Sequence, residues 1–351
     1  MLYFLVFYVL KLARYQSAKI NEVKYPVSVV ICAKNEALNL KKNLPFFLEQ
    51  DYPDFEVIVV NDSSIDGTAD ILAVYATQYS NLKVIQITAE QKEGIGKKYP
   101  LSVGVENAMH EHLLLSDADC RPCSKNWISG MMNGFTQNIE IVLGFGKYEK
   151  RSGWVNKLIQ FDTFFVALQY FSFAIKGEPY MGVGRNLAYK KSVYDKVGGF
   201  NNHQNIASGD DDLFVMEAAN EKNVAIVTNA DAHTISISKN TFGDYFNQKK
   251  RHLSTGKLYR PDILFHLSVI NLSFLYFPLL LWLNILLNNS LLVVLILWMF
   301  TLWIRYYTFN FALRKLTSGV NLILSIIFGN TLMLLNLMAA SKNLKTKNDR
   351  W

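Results

Sequence analysis

The sequence predicts an α/β domain with a mostly parallel sheet, followed toward the C-terminus by transmembrane helices. Three observations carry this reading. Residues 27–230 alternate short apolar runs with helical patterns, the signature of βαβ units. Downstream, neither the interval between Asp262 and Arg305 nor that between Lys315 and Lys342 holds an Asp, Glu, Lys or Arg. Across the 351 residues hydrophobic side chains make up 50% and charged ones 19%, below the roughly 25% charged of an ordinary soluble domain. The 23 Phe, 18 Tyr and 6 Trp exclude a disordered chain, and 3 Cys exclude a disulfide scaffold.

The elements follow in order. MLYFLVFYVL, with Lys11, Arg14 and Lys19 behind it, is too short to span a bilayer, so residues 1–23 read as an interfacial anchor or the end of a longer helix. Val27–Cys32, bounded by Pro26, is a buried strand, and apolar spacing makes Ala37–Glu49 a helix. Phe55–Val60 is the second strand and ends at Asn61-Asp62. Asp66 is placed to cap a helix through Tyr79. Leu82–Ile87 is a third strand, Lys98–Ala108 a helix, and His112–Leu115 a strand running into Ser116-Asp117-Ala118-Asp119. Residues 154–175, dense in Phe with only Lys157 and Asp162 charged, predict an interfacial helix, the alternative being a buried helix over the sheet.

A hydrocarbon crossing takes about 20 apolar residues, so the first charge-free interval fits two spans and the second one. Asn288-Asn289-Ser290 is the expected turn between the first two. Residues 24–260 would form the α/β domain, 261–341 a membrane domain of two to three spans, and 342–351 a basic tail. Lys249, Lys250, Arg251, Lys257 and Arg260 before the first span put the α/β domain in the cytoplasm of a multi-pass inner-membrane protein. The basic tail would then lie outside, unless Gly329-Asn330 breaks the last segment into a re-entrant hairpin. The net charge of +7 invites a nucleic-acid reading, but the basic residues cluster beside the membrane, where anionic lipid accounts for them.

Ligands of open α/β sheets bind beyond the carboxyl ends of the strands. Three such ends carry polar residues: Lys34-Asn35-Glu36, Asn61-Asp62-Ser63-Ser64 and Asp117-Ala118-Asp119. Alternate residues of an extended end point the same way, so Asp117 and Asp119 can together hold a hard divalent cation. Gly94-Ile95-Gly96-Lys97-Lys98 could bring Lys97 or Lys98 to a phosphate, or be a solvated basic turn. Ser208-Gly209-Asp210-Asp211-Asp212 opens a helix. Its acids suit the helix dipole, and their mutual repulsion can raise a carboxylate pKa toward general-base range. Cys120 and Cys123 form a C-x-x-C with no partner pair, which argues against a zinc or redox site.

Taken in order, the strand–AKNE, strand–NDSSIDGT, GKK, strand–DAD, GDDD and QKKRH motifs resemble the family-2 inverting glycosyltransferases of GT-A (Rossmann-like) fold, in particular the membrane-bound bacterial members with C-terminal spans. The resemblance covers roughly residues 26–256. It implies that Ala33 and Glu36 line a uridine or ribose pocket, that Asp62 contacts the base, and that Lys97 or Lys98 approaches the nucleotide. It implies that Asp117 binds the nucleotide-sugar and that Asp119, with Asp117, ligates Mg²⁺ or Mn²⁺. Asp211 aligns as the catalytic base, with Asp210 taking that role if the register shifts by one. Gln248, Arg251 and His252 occupy the acceptor and diphosphate motif of processive synthases, His252 standing where a Trp would stack on the acceptor end. The implied reaction moves a sugar, with inversion, from a UDP-sugar to a lipid or lipid-linked glycan in cell-envelope polysaccharide or glycolipid synthesis. A processive synthase and an inactive nucleotide-sugar-binding protein are the alternatives.

Overall fold

Parallel strands joined by helical crossovers are covered on both faces, so their sequences run apolar throughout. Strand β1 (Val27–Ala33) is buried at every position, and β2 (Phe55–Asp62) at every position after Phe55. Their polar residues are paired: Ser28 donates to Glu56 at 2.6 Å, and the same carboxylate accepts the Met109 amide at 2.7 Å. The computed structural model describes residues 9–15, 23–287, 291–316 and 322–342. The first eight apolar residues, the Asn288-Asn289-Ser290 turn and the tail after Lys342 lie outside the described residues.

The main sheet is completed by β3 (Leu82–Ile87), β4 (His112–Asp117), β6 (Ile141–Leu143), β8 (Leu187–Lys190) and β9 (Val224–Ile226), in the order β3-β2-β1-β4-β8-β6-β9. The first four strands are parallel, and β8 runs antiparallel to both β4 and β6. Strands β5 (Cys120–Pro122), β10 (Thr234–Ser236) and β7 (Gly146–Tyr148) form a second, small sheet. From β1 the chain steps outward to β2 and β3, then returns to the far side of β1 as β4. Strand order therefore reverses between β1 and β4, where an open α/β sheet forms its ligand crevice. The register puts Cys32 opposite Asp117 and Ala33 opposite Asn61.

The mostly parallel α/β sheet is as the sequence predicts, with two extensions that matter. Strand β2 continues to Asp62 and β4 to Asp117, so both carboxylates are the last residues of hydrogen-bonded strands. The three-residue strands β5, β6, β7, β9 and β10 are too short to carry a readable period.

The chain divides into two compact units, and the division differs from the expected boundary at residue 260. One unit holds the strands up to Glu149 together with Gly177–Ile237. The other holds Lys150–Lys176, the helices after Ser238 and the short helix Leu10–Arg14. The helix Trp154–Lys176 is not interfacial: Phe164, Phe165 and Phe171 are buried, and Phe309 meets Phe164 and Phe165 edge-on at 5.9 and 6.2 Å. Its apolar residues point all round, so every face needs cover, and helices of its own unit supply it. Asp162, inside this helix, is buried against Lys249 at 2.5 Å and the Tyr245 hydroxyl at 2.7 Å. Pro261–Leu286 and Leu291–Leu316 are separate helices. Leu322–Lys342 is continuous through Gly329-Asn330, so the re-entrant break is not formed. Among the described residues, two helices are long and apolar enough to cross a membrane, Trp154–Lys176 and Leu292–Leu313.

The helix Lys98–Glu106 lies on β1 and β2 and starts beside the crevice. Gly104 makes this approach possible, since an added Cβ would sit 2.5 Å from Val30 Cγ1 and 3.2 Å from Val60 Cγ2. Overpacking a filled core costs about 1–3 kcal/mol. Gly104→Ala is therefore expected to destabilise the sheet unit by that amount, read as a lowered denaturation midpoint with an unchanged denaturant slope.

Candidate active site at the strand carboxyl ends

The loops after β1 and β2 hold each other in place. Asn35 and Ser63 turn the chain with φ of 57° and 51°, in a left-handed region that few side chains other than Asn and Asp tolerate well. The Asn35 amide donates to Ser64 Oγ at 2.9 Å, and its side-chain oxygen accepts the Ile65 amide at 2.9 Å. The Glu36 amide donates to Thr68 Oγ1 at 2.9 Å. Asp66 accepts the amides of Ala37 at 3.2 Å and Thr68 at 3.0 Å. Gly67, not Asp66, occupies the cap position of the helix Thr68–Gln78. Asp66 ties its start to the neighbouring loop instead. Desolvation pushes its carboxyl up, but the hydrogen bonds from Thr68 and Ala37 outweigh this and leave it below the usual carboxylate range. Ala33 is the fully buried last residue of β1, and half-buried Glu36 accepts from Asn39 at 2.5 Å.

Two strand-end carboxylates carry ammonium partners. Asp62, without solvent exposure, is 3.5 Å from Lys34, is paired more closely with Lys92, and accepts the Ser63 hydroxyl at 3.3 Å. Lys34 belongs to a strand end the sequence marks, but Lys92 bears no signal in the sequence, because only the loop path brings it to Asp62. Asp117 is paired with Lys97. Burial opposes the charge on Lys97, yet Asp117 and then Asp210 outweigh it and hold the ammonium well above its usual pKa. Cys32, opposite Asp117, is pushed up to about 12, chiefly by burial, so it stays a neutral thiol. Ligand atoms of Asp117, Asp119 and Cys120 all lie within 4.8 Å of one another. The two carboxylates suit a hard divalent cation, whereas the Cys120 thiol is held protonated by burial and by both aspartates.

Lys98 does different work from its neighbour. Its ammonium donates to the carbonyls of His203 at 2.7 Å, Ile206 at 2.8 Å and Ser208 at 2.7 Å, which uses all three of its protons. Burial lowers its pKa, against the opposing pull of Asp210, Asp212 and Asp211. Lys98 thus pins the segment leading into the aspartate cluster. Gly96, with φ of 81°, packs against the same segment, where an added Cβ would lie 2.2 Å from the Ala207 carbonyl oxygen.

The cluster itself opens the helix Asp212–Ala218, and Asp211 is its N-cap. Asp211 accepts the Asp212 amide at 2.8 Å and, through its other oxygen, the Gly184 amide at 2.8 Å. Burial, then the Asp210 charge, then the Asp212 charge raise its carboxyl to about 8, while the two amide bonds act in the opposite direction. Sequence reasoning missed Gly184, because an amide donor leaves no trace in residue type. The three-residue turn Gly184–Asn186 is held by buried Asn186, which accepts from Trp127 Nε1 at 3.0 Å and donates to the carbonyls of Phe145 and Ala232 at 3.0 and 2.9 Å.

The structure thus brings Lys97, Asp117 and Asp119 together, with Asp210 acting on the same ammonium, and gives Asp62 its own lysines. Gln248, Arg251 and His252 lie on the helix Phe242–Ser254, in the other unit. Gln248 and Arg251 are half-buried there and His252 is exposed, while Lys249 turns inward to Asp162.

A buried acceptor stripped of its donor costs about 1–3 kcal/mol. Lys98→Met is expected to destabilise the sheet unit by at least that much and to increase amide hydrogen exchange across 203–212. Gly96→Ala is expected to give the same pattern, because it displaces the same segment.

Residues 28–198 match the profile of Glycosyl transferase family 2. The chain is 31% identical over 187 residues to Glycosyltransferase AglE of Haloferax volcanii, a match spanning 52% of this chain and 58% of that protein. It is 28% identical over 187 residues to the probable glycosyltransferase YdaM of Bacillus subtilis, over 50% of this chain and 42% of that protein. The chain thus spans about half the length of the curated relatives it matches. A solved mannosyltransferase, PcManGT from Pyrobaculum calidifontis, shares the fold at a TM-score of 0.61 and 17% identity, covering 96% of this chain and 93% of that one. The reversed strand order, the strand-end aspartates and the profile match coincide over one stretch of chain, so residues 28–198 are similar to glycosyltransferase family 2 and carry its α/β, GT-A-like fold.

Proposed function

We propose that the protein is a membrane-bound, inverting glycosyltransferase that moves a sugar from a nucleotide donor, a UDP-sugar in the first instance, to a lipid or lipid-linked glycan. The observation that carries this reading is the pairing of two unlike carboxylate environments at one sheet edge. Asp117 faces the Lys97 ammonium with the Asp119 carboxylate close beside it, while Asp211 is held protonatable near neutral pH by burial and by its acidic neighbours. PcManGT was solved with GDP-Man and Mn²⁺, which supports a nucleotide-sugar donor and a divalent cation for this chain as well.

In this mechanism Asp117 and Asp119 would hold Mg²⁺ or Mn²⁺, which when bound offsets the charge building on the departing diphosphate. Lys97, paired with Asp117, adds a positive charge at the same strand end. Asp211 takes the proton of the acceptor hydroxyl as its oxygen bonds to the anomeric carbon. The bond from that carbon to the nucleoside diphosphate breaks on the opposite face, so the configuration inverts in one displacement. Lys98 and Gly96 keep Asp210 and Asp211 at the sheet edge. Asp62, with Lys34 and Lys92, would meet the nucleobase, beside Ala33 and Glu36.

A membrane location is supported by the contrast between the two long apolar helices. Trp154–Lys176 is 72% buried within the protein, whereas Leu292–Leu313 is only 24% buried and leaves Leu292, Ile296, Met299, Phe300 and Trp303 exposed. An apolar face of that length is covered by a bilayer at little cost. The unit that carries the strand-end aspartates would lie on the cytoplasmic side.

The test is a nucleotide-sugar panel, UDP-sugars and GDP-mannose, assayed with Mn²⁺ in membranes containing native lipids. Transfer by none of them would refute the reading. Asp119→Ala is expected to abolish metal-dependent nucleotide binding while the fold remains. Asp211→Asn is expected to keep donor binding and lose transfer at least about 10²-fold. Only the deprotonated carboxylate accepts a proton, so kcat/KM is expected to rise with pH toward a plateau above about 8. Asp210→Asn removes a charge that raises Asp211, and should move that limb to lower pH. An unmoved limb would detach the profile from Asp211.

A further inference from the structure

The buried lysine of the donor site carries an inference that rests on the reading above. The side chain of Lys97 is 10% exposed and ends on Asp117, whose own side chain is 39% exposed. An ammonium is thus held on the carboxylate that leads the Asp117-Ala118-Asp119 step, and the ligand atoms of Asp117, Asp119 and Cys120 lie within 4.8 Å of one another. The Lys97 backbone is clamped on both sides. Lys98 is anchored by carbonyls of His203, Ile206 and Ser208, and Gly96 is in close approach to Ala207. Only the Lys97 side-chain torsions can move the charge, and they are confined to a buried space. The segment that anchors Lys98 leads straight into Asp210, a second carboxylate whose charge already acts on the Lys97 ammonium.

We propose that Lys97 is a built-in stand-in for the divalent cation, which must leave Asp117 before the metal can take it. Two positive charges cannot share one small carboxylate without repulsion. A cation arriving alone meets an occupied Asp117 and gains little. A nucleoside diphosphate arriving with the cation offers the ammonium a new anion, so the exchange is driven by donor and metal together. Lys97 is then a positioning residue in the metal's absence and a diphosphate contact in its presence. Futile metal binding without donor is suppressed.

Mn²⁺ binding, read from the free-ion EPR signal, tests this without any turnover. In the absence of nucleotide, Lys97→Met is expected to bind Mn²⁺ at least tenfold more tightly than the wild type. With UDP present, the same variant is expected to bind the Mn²⁺–UDP pair at least tenfold more weakly, since the diphosphate contact is gone. Lys97→Arg keeps the charge and is expected to bind Mn²⁺ alone no more tightly than the wild type. The proposal is overturned if Lys97→Met binds Mn²⁺ alone no better than the wild type, or if Lys97→Arg binds it better. Should removal of the buried charge unfold Lys97→Met, seen by thermal melting, the Lys97→Arg comparison still decides. If the wild type fails to retain Mn²⁺ even with UDP, the metal reading itself falls, an outcome separate from a bound metal indifferent to Lys97.

Discussion

The reversal of strand order between β1 and β4 is the constraint on which the site depends. Two parallel strands that leave their common edge in opposite directions cannot be bridged by one crossover, so the sheet stays open above them. Hydrogen bonding in register then places Cys32 beside Asp117 and Ala33 beside Asn61. The two-residue extensions of β2 and β4 carry Asp62 and Asp117 to the rim as ladder members, which fixes them more firmly than loop residues would be.

A rim lined with carboxylates in partly buried positions is costly unless each charge is answered, because isolated buried ions lose several kcal/mol of hydration. The protein answers each one by a different route. Asp62 is met by Lys34, Lys92 and the Ser63 hydroxyl, Asp117 is met by Lys97, and Asp211 accepts the Gly184 and Asp212 amides and stays protonated over much of the neutral range. These routes set the chemistry available at each position. A carboxylate that already faces an ammonium is poised for cations, whereas one pressed by like charges and supplied only with amides is poised to exchange a proton.

Rigidity around these groups comes from loop-to-loop hydrogen bonds, not from further secondary structure. The loops after β1 and β2 are joined by Asn35, Glu36, Asp66 and Thr68, and the segment before the aspartate cluster is tied down by Lys98. Such ties use the short polar side chains that break helices and strands, so one composition both ends an element and braces the next. The helical unit follows a similar rule at Asp162, which faces Lys249 and Tyr245 inside otherwise apolar packing.

The order of strands and helices through β4, the polar strand ends and the apolar intervals were all legible in the amino-acid sequence. Each is a local pattern: period 2 or 3.6, a turn residue after an apolar run, or twenty residues without charge. Asp62, Asp117 and Asp211 stood out for that reason. The partners of these groups did not. Lys92 reaches Asp62 across 30 residues, Lys98 reaches its carbonyls across more than 100, and Gly184 serves Asp211 through a backbone amide that any residue but proline owns. The helix Trp154–Lys176 shows the same limit from the apolar side. Its Phe-rich surface demands burial, but composition cannot distinguish lipid from protein as the covering medium. Only the packing of Phe164 and Phe165 on Phe309 decided it. What the sequence determined by itself was which segments must be buried and which polar groups interrupt them. Which distant group answers each buried charge was left to the tertiary structure, because such pairing depends on the path of the whole chain.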